Sequence, residues 1–265
     1  MNQLVGTRDL LLITFDALRY DVAVSAMGEK LSPFLASLLP GGWEERHSPG
    51  SFTYAAHAAI FAGFFPTPVA PGRHARPFAL RFPGSDSVSD KTCQLDGTNI
   101  IEGLRKRGYQ TVCIGGVGFF NGRNPVSGVF PAMFDESHWD VSFSVGEPWS
   151  ARHQVRRAIE RLASLEKERP LLLFINFSAT HAPTHYYVPG EICESVATQS
   201  AALTSIDREL PELFKALERR ERGGVGFLMS DHGTAFGEDG YQGHRLAHPV
   251  VWTVPYGECS WGLNT

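Results

Sequence analysis

Three short apolar runs, each stopping at a polar residue, constrain this chain more than any other feature of its sequence. Leu10-Leu11-Leu12-Ile13-Thr14-Phe15 stops at Asp16, and Leu171-Leu172-Leu173-Phe174-Ile175-Asn176-Phe177 leads into Ser178-Ala179-Thr180-His181. Gly226-Phe227-Leu228-Met229 arrives at Ser230-Asp231-His232-Gly233. Runs without polar alternation are the signature of strands buried on both faces, which occur in parallel sheets covered by helices. Segments of helical spacing lie between them, so strand and helix alternate. That order predicts an α/β fold, a three-layer α/β/α sandwich around a mainly parallel central sheet. With no internal repeat and no linker, residues 1–265 are read as one domain.

Other elements follow from punctuation and period. Ser32-Pro33 predicts a helix start and Pro40-Gly41-Gly42 its stop. Residues 44–48 predict a strand. Small residues from Ala55 to Ala62 predict a tightly packed helix closed by Gly63 and Pro66. Residues 98–107 carry a helical pattern, with Gly108 suited to the position after its end, and a strand is expected over 109–114. Val155, Ile159, Leu162 and Leu165 form a helical stripe within 151–167. Ala202, Ile206, Leu210, Leu213 and Leu217 do the same within 195–220, where Pro211 either kinks the helix or marks its start. Residues 67–97 and 115–128 read as loops. The strand ending at Met229 is expected to complete the sheet.

In open parallel sheets ligands bind beyond the carboxyl ends of the strands. Asp16, Thr53, His181 and the Asp231-His232 pair all fall at such ends, and His244 follows in a glycine-rich loop. Carboxylate and neutral imidazole are the usual donors to zinc or manganese. Asp16, Asp231, His232 and His244 are therefore candidate ligands of a divalent metal ion, with the Thr53 hydroxyl as a further oxygen donor. Zinc or manganese is expected, with calcium or magnesium as alternatives. A hydroxyl held this way becomes a nucleophile near neutral pH. His181 and His244 would face the same pocket, to bind a second ion, steady developing charge or protonate a leaving group. Each residue also has a plain structural reading. Asp16 and Thr53 are good helix caps, His57 suits a packed polar position, His181 an exposed turn, and Glu238 and Asp239 a solvated loop.

Composition narrows the partners. A formal net charge of -4 argues against a nucleic-acid binder driven by phosphate contacts. A small anionic substrate would have to be drawn in by a metal or by local cations, with His181, His244 or Arg19 helping to neutralise its charge. Loops 67–97 and 115–148, with Arg73, Arg76, Arg81 and Arg123, are the expected source of specificity. The run Leu10–Phe15 is far short of the roughly 20 residues that span a bilayer, so no membrane association is expected. The first nine residues lack a leader pattern, and Cys93, Cys113, Cys193 and Cys259 are widely spaced. Together these predict a soluble, cytoplasmic setting; oligomeric state stays open.

At these residues the chain resembles the alkaline phosphatase superfamily, in its sulfatase-like branch. Asp16-Ala17-Leu18-Arg19-Tyr20-Asp21 is similar to the D-x-x-R-x-D of the first strand's end. Thr53-Tyr54-Ala55-Ala56-His57, running to Gly63-Phe64-Phe65-Pro66, aligns without gaps on the sulfatase signature C/S-x-P-S-R-x-x-L-L-T-G-x-x-P. It is also similar to the T-x-P-N-H of nucleotide pyrophosphatases/phosphodiesterases. Leu104 to Thr111 resembles L-x-x-x-G-Y-x-T. The stretch from Thr180-His181-Ala182-Pro183 and the block Ser230-Asp231-His232-Gly233 with Gly237-Glu238 resemble segments of phosphoethanolamine transferases.

The resemblance implies an alkaline-phosphatase-like fold and Thr53 as the nucleophile. It also sets limits. Thr53 cannot become the formylglycine of sulfatases, and proline and arginine of that signature are replaced by Ala55 and His57. A second Asp-x-x-x-His ligand group is not evident near His181, which favours one ion over two. The leading expectation is a metal-dependent hydrolase of a phosphate monoester, phosphodiester or phosphonate. The alternatives are transfer of a phospho-group to an acceptor other than water, and a non-catalytic protein that binds metal or anion.

Overall fold

The computed structural model describes residues 4–63 and 99–262. The expected loop over 67–97, with Arg73, Arg76, Arg81 and Cys93, lies outside the described residues, as do Phe64-Phe65-Pro66 and Thr98.

The first apolar run forms β1 (Asp9–Phe15), followed by α1 (Tyr20–Gly28) and α2 (Pro33–Leu38). Then come β2 (Glu44–His47), α3 (Thr53–Ala62), α4 (Ile100–Lys106), β3 (Gln110–Ile114), α5 (Pro125–Gly128) and β4 (Glu136–His138). The second half carries α6 (Ser150–Leu162), β5 (Leu171–Phe177), α7 (Val196–Glu218) and β6 (Gly224–Ser230). A small hairpin of β7 (Ala235–Phe236) and β8 (Gln242–Gly243), then α8 (Pro249–Trp252) and β9 (Thr253–Trp261), complete it.

The central sheet has seven strands in the order β2-β9-β6-β1-β5-β3-β4. Strands β6, β1, β5, β3 and β4 are parallel to one another; β9 runs antiparallel to β6, and edge strand β2 runs antiparallel to β9. The expected α/β class and mainly parallel sheet hold. The expectation that the strand at Met229 closes the set does not, because β9 follows and pairs with β6. In β9 Glu258 and Ser260 are exposed, and Pro255 and Gly257 dilute the strand signal.

Alternate residues of β1 feed two cores. Leu11, Ile13 and Phe15 pack with residues of α1, α2, α6 and α7 on one face. Leu10 joins Leu172 and Phe174 under α3 and α4, where Phe61, Phe120, Phe130 and Phe134 gather. Each fully buried side chain of this size contributes roughly 1.5–3 kcal/mol relative to exposure. Pro211 sits inside a continuous α7, so it neither starts nor interrupts the helix. Ser32 is the N-cap of α2 but makes no capping bond with its side chain. Asp207 of α7 does that work across the interface, accepting from Leu35 N at 2.7 Å and Phe34 N at 3.2 Å.

At the strand ends opposite the candidate site, Asp9 is buried and paired. Its Oδ2 accepts from Arg220 Nε at 2.6 Å and its Oδ1 from Leu171 N at 2.9 Å. Both side chains are almost wholly out of water, and Arg222 Nε stands 3.3 Å from Oδ1 as a second, less buried cation. Arg220→Ala should cost about 3 kcal/mol, the lower end for a broken buried pair because Arg222 remains, measured as a fall in the denaturant midpoint.

Candidate metal centre and active site

Register brings the two acids together. Phe15 is aligned with Ser230 of β6 and with Phe177 of β5, so Asp16 and Asp231 leave adjacent strands at the same level. Asp16, Asp231 and His232 are wholly buried, and one donor atom from each lies within 4.8 Å of the others. Thr53 comes from the start of α3. The sequence allowed it to be a helix cap, but the cap position belongs to Phe52 and Thr53 is the first helical residue. Its hydroxyl is therefore free of capping. Oγ1 stands 3.4 and 3.5 Å from the Asp16 oxygens and 3.4 Å from His232 Nε2.

Local backbone geometry aims each group. Ala17 takes φ 61°, a left-handed conformation uncommon outside glycine. Its N–H donates to Asp231 Oδ1 at 3.1 Å, and His232 N donates to the same oxygen at 3.0 Å. Gly233 cannot carry a side chain, since a Cβ there would lie 2.0 Å from Val250 O. The Gly233 carbonyl accepts from His232 Nδ1–H at 2.8 Å, which leaves the Nε2 lone pair facing Thr53 and the two acids. This is the tautomer a metal-ligating histidine needs.

The electrostatics point the same way. Burial, then the neighbouring Asp231, push the Asp16 carboxyl up to about 6; burial pushes Asp231 up to about 7. Burial also lowers the pKa of His232. Asp231 Oδ2 is buried with no hydrogen-bond partner, 3.6 Å from His232 Nε2 and 3.5 Å from His57 Nδ1. A buried carboxylate oxygen without a donor is costly. Two inward carboxylates, an inward imidazole lone pair and this orphan oxygen fit a divalent cation, whose charge would reverse the upward shifts.

His181 and His244 stand one layer out. The His244 ring is 4.6 Å from that of His232 and 5.3 Å from that of His181, centroid to centroid. His244 is not part of the three-residue cluster. Burial, then His232 and His181, hold its pKa down at about 3, so it is neutral. His181 Nδ1 donates to Ala182 O at 2.6 Å, leaving Nε2 for other partners. Both rings line a cavity of about 780 Å³ with Thr53, Val117, Asn124 and Arg245.

Two residues have a different place from the one expected. Arg19, a candidate for neutralising substrate charge, is buried and held by Asp21 at 2.6 Å and by Glu238. Glu238 is accordingly a clamp on the loop after β6, which also accepts from Phe236 N at 2.6 Å, and does more than solvate that loop. Arg123 lies over the Trp139 ring at 4.6 Å. The cation among the described residues lining the cavity is Arg245, which sequence reading passed over although it follows His244 directly.

Together these features define an α/β protein with a candidate divalent-metal centre at the carboxyl ends of its central strands, beside a threonine hydroxyl. The chain belongs to the sulfatase family, whose model matches residues 8–256.

Solved structures agree in fold. The C-terminal periplasmic domain of phosphoethanolamine transferase EptC from Campylobacter jejuni superposes with a TM-score of 0.65 at 17% identity, over 96% of this chain and 80% of that one. The corresponding EcEptC domain from Escherichia coli, in complex with Zn, gives a TM-score of 0.65 at 16% identity, over 97% and 74%. An alkaline phosphatase superfamily protein from Vibrio parahaemolyticus gives 0.61 at 20% identity, over 95% and 60%. No curated protein is similar enough in sequence to match.

These neighbours correct the cytoplasmic expectation, since the EptC structures are periplasmic domains. Cysteine spacing and the first nine residues were its basis, and neither identifies a compartment. Among the described residues no helix is long and apolar enough to cross a membrane.

Proposed function

We propose that this chain is a metal-dependent enzyme that takes a phospho-group from a phosphate ester onto Thr53 and passes it to an acceptor. The observation that carries this reading is the Thr53 hydroxyl, free of capping and within 3.5 Å of two buried acids and a histidine lone pair. Asp16, Asp231 and His232 would hold the ion, with Thr53 as a further oxygen donor and His244 beside them. The ion would neutralise the paired carboxylates and lower the pKa of the hydroxyl. The Zn complex of the EcEptC domain supports zinc, and manganese fits the same donors.

Thr53 loses its proton to water in the cavity, and its Oγ then forms the bond to phosphorus as the bond to the leaving oxygen breaks. His181, whose Nδ1–H stays on the Ala182 carbonyl, acts as the imidazolium and gives that oxygen its Nε2 proton. His244, being neutral, offers an N–H to the charged oxygens, and Arg245 adds positive charge at the cavity wall. In the second half His181, now without its Nε2 proton, takes one from water or another hydroxyl as that oxygen attacks phosphorus; the P–Oγ bond breaks and Thr53 Oγ regains a proton from water. With water the reaction is hydrolysis, and with another hydroxyl it is transfer.

Transfer draws support from the neighbouring phosphoethanolamine transferases, and hydrolysis shares its first step. The test is turnover of bis-p-nitrophenyl phosphate, p-nitrophenyl phosphate and p-nitrophenyl sulfate by metal-loaded protein, with products analysed with and without glycerol as acceptor. Phosphate-ester turnover lost on chelation is expected, and a glyceryl phosphate product would select transfer. No turnover with any divalent ion, alongside intact anion binding, would leave the non-catalytic reading.

A further inference from the structure

Two polar residues interrupt otherwise apolar buried strands at matched positions. Thr14 of β1 and Asn176 of β5 are partners in register, and both are wholly buried. His57, also wholly buried, reaches them from α3, with Phe61, Phe120, Phe130 and Phe174 around its ring. Polar groups are expensive at such depth unless each donor meets an acceptor.

Here every bond has a forced direction. The Thr53 carbonyl can only accept, so His57 Nδ1 carries the proton and donates to it at 2.8 Å. Wholly buried with four phenylalanine rings around it, the imidazole is in its uncharged form, and its Nε2 must accept. Thr14 Oγ1 therefore donates to Nε2 at 3.0 Å and accepts from Asn176 Nδ2 at 3.1 Å. The amide is fixed from its other end, because Asn176 Oδ1 accepts from Val117 N at 3.1 Å. The same Nδ2 donates to Asp16 Oδ2 at 3.1 Å. The chain thus runs without a break from the first turn of the helix bearing Thr53 to the carboxylate of Asp16, with a branch to the cavity wall at Val117.

We infer that His57, Thr14 and Asn176 are positioning residues that hold the Thr53 helix turn and the Asp16 carboxylate in one mutual geometry. The inference rests on the proposed roles of Thr53 and Asp16. Apolar packing would hold the helix on the sheet, but it would leave the carboxylate rotation free; a bond of fixed polarity sets both at once. The residue identities follow from that need. Only a neutral imidazole presents a donor and an acceptor at opposite ends of one rigid ring. Only an amide gives two donors and an acceptor from one planar group.

The test combines a spectroscopic and a kinetic arm on the full chain. Nitrogen-15 NMR of histidine-labelled wild-type protein should show, among its Nδ1–H imidazoles, one that is missing in His57→Gln and whose Nε2 shift moves in Thr14→Val. In turnover of bis-p-nitrophenyl phosphate, Thr14→Val should lower kcat about tenfold, the effect of one lost hydrogen bond. KM should hardly move, while the melting temperature should fall, since valine fills the space but leaves His57 Nε2 and one Asn176 N–H without a partner. Thr14→Ser, which keeps the hydroxyl, should restore kcat to within about twofold. An Nε2–H tautomer at His57 overturns the inference, and so does a folded Thr14→Val enzyme with wild-type kcat. Equal loss in the valine and serine variants also overturns it. If wild-type protein turns over no phosphate ester, the proposed function fails, while the tautomer result still decides the polarity of the chain.

Discussion

Thr53→Ala should abolish phosphate-ester turnover, by roughly a thousandfold or more, while the protein stays folded and keeps its metal. Losing a covalent nucleophile has effects of this order, since only the rest of the site continues to act. Stability should hardly change, because the hydroxyl caps nothing and Phe52 holds the cap position. Asp16, Asp231 and His232 remain to bind the ion, so metal content by mass spectrometry should match the wild type. Thr53→Ser should keep part of the activity, since it keeps the oxygen. A Thr53→Ala protein that turns over substrate normally would remove the proposed mechanism, however well the fold fits.

The second large effect is a stabilisation by metal that grows with pH. In the metal-free protein the Asp16 carboxyl sits at about 6 and that of Asp231 at about 7, both above the ordinary 3.8. From these two acids the folded state binds more protons than the unfolded chain, so their contribution falls as pH rises; His57 and His244, held down at about 3, act in the opposite sense up to the ordinary histidine value of 6.5. The two sets offset one another at lower pH, so a net fall is expected only above about pH 6.5, levelling off just above pH 7. Glu136, Glu194 and Glu238 have pKa values held below the ordinary 4.5, so they act in the opposite sense only at lower pH. A divalent ion binds the deprotonated acids and competes with protons. Zinc or manganese at a thousandfold excess over its Kd adds about 4 kcal/mol, and this gain should be large at pH 8 and small at pH 5. Melting curves with and without chelator test it. No metal-dependent shift at pH 8 would speak against a cation among these residues.

How much of this was legible depended on whether a signal was local. Asp16 and Asp231-His232 could be found because each ends an apolar run, and strand ends in a parallel sheet converge. Thr14 and Asn176 stood in those same runs and were passed over, because one polar residue in a buried strand looks like noise until its partner is known. Register supplies that partner, and register is not written in either strand alone. Arg19 misled for a related reason. A cation next to a candidate ligand suggests anion binding, but Asp21 and Glu238, the latter from a distant loop, had already taken it. The strand β9 escaped because Pro255 and Gly257 weaken its pattern, while its pairing with β6 depends on long-range contact.

The sequence by itself determined the α/β class, the mainly parallel sheet and the residue types gathered at its carboxyl ends. Period and apolar runs report what a segment buries, and burial on both faces leaves few architectures. Only the tertiary structure decided which atoms face one another. It put the His232 lone pair inward, left Asp231 Oδ2 without a donor, freed the Thr53 hydroxyl from capping and closed the chain from His57 to Asp16. Those outcomes turn on tenths of an ångström and on the direction of single hydrogen bonds, which depend on residues far apart in the chain and meet only when it is folded.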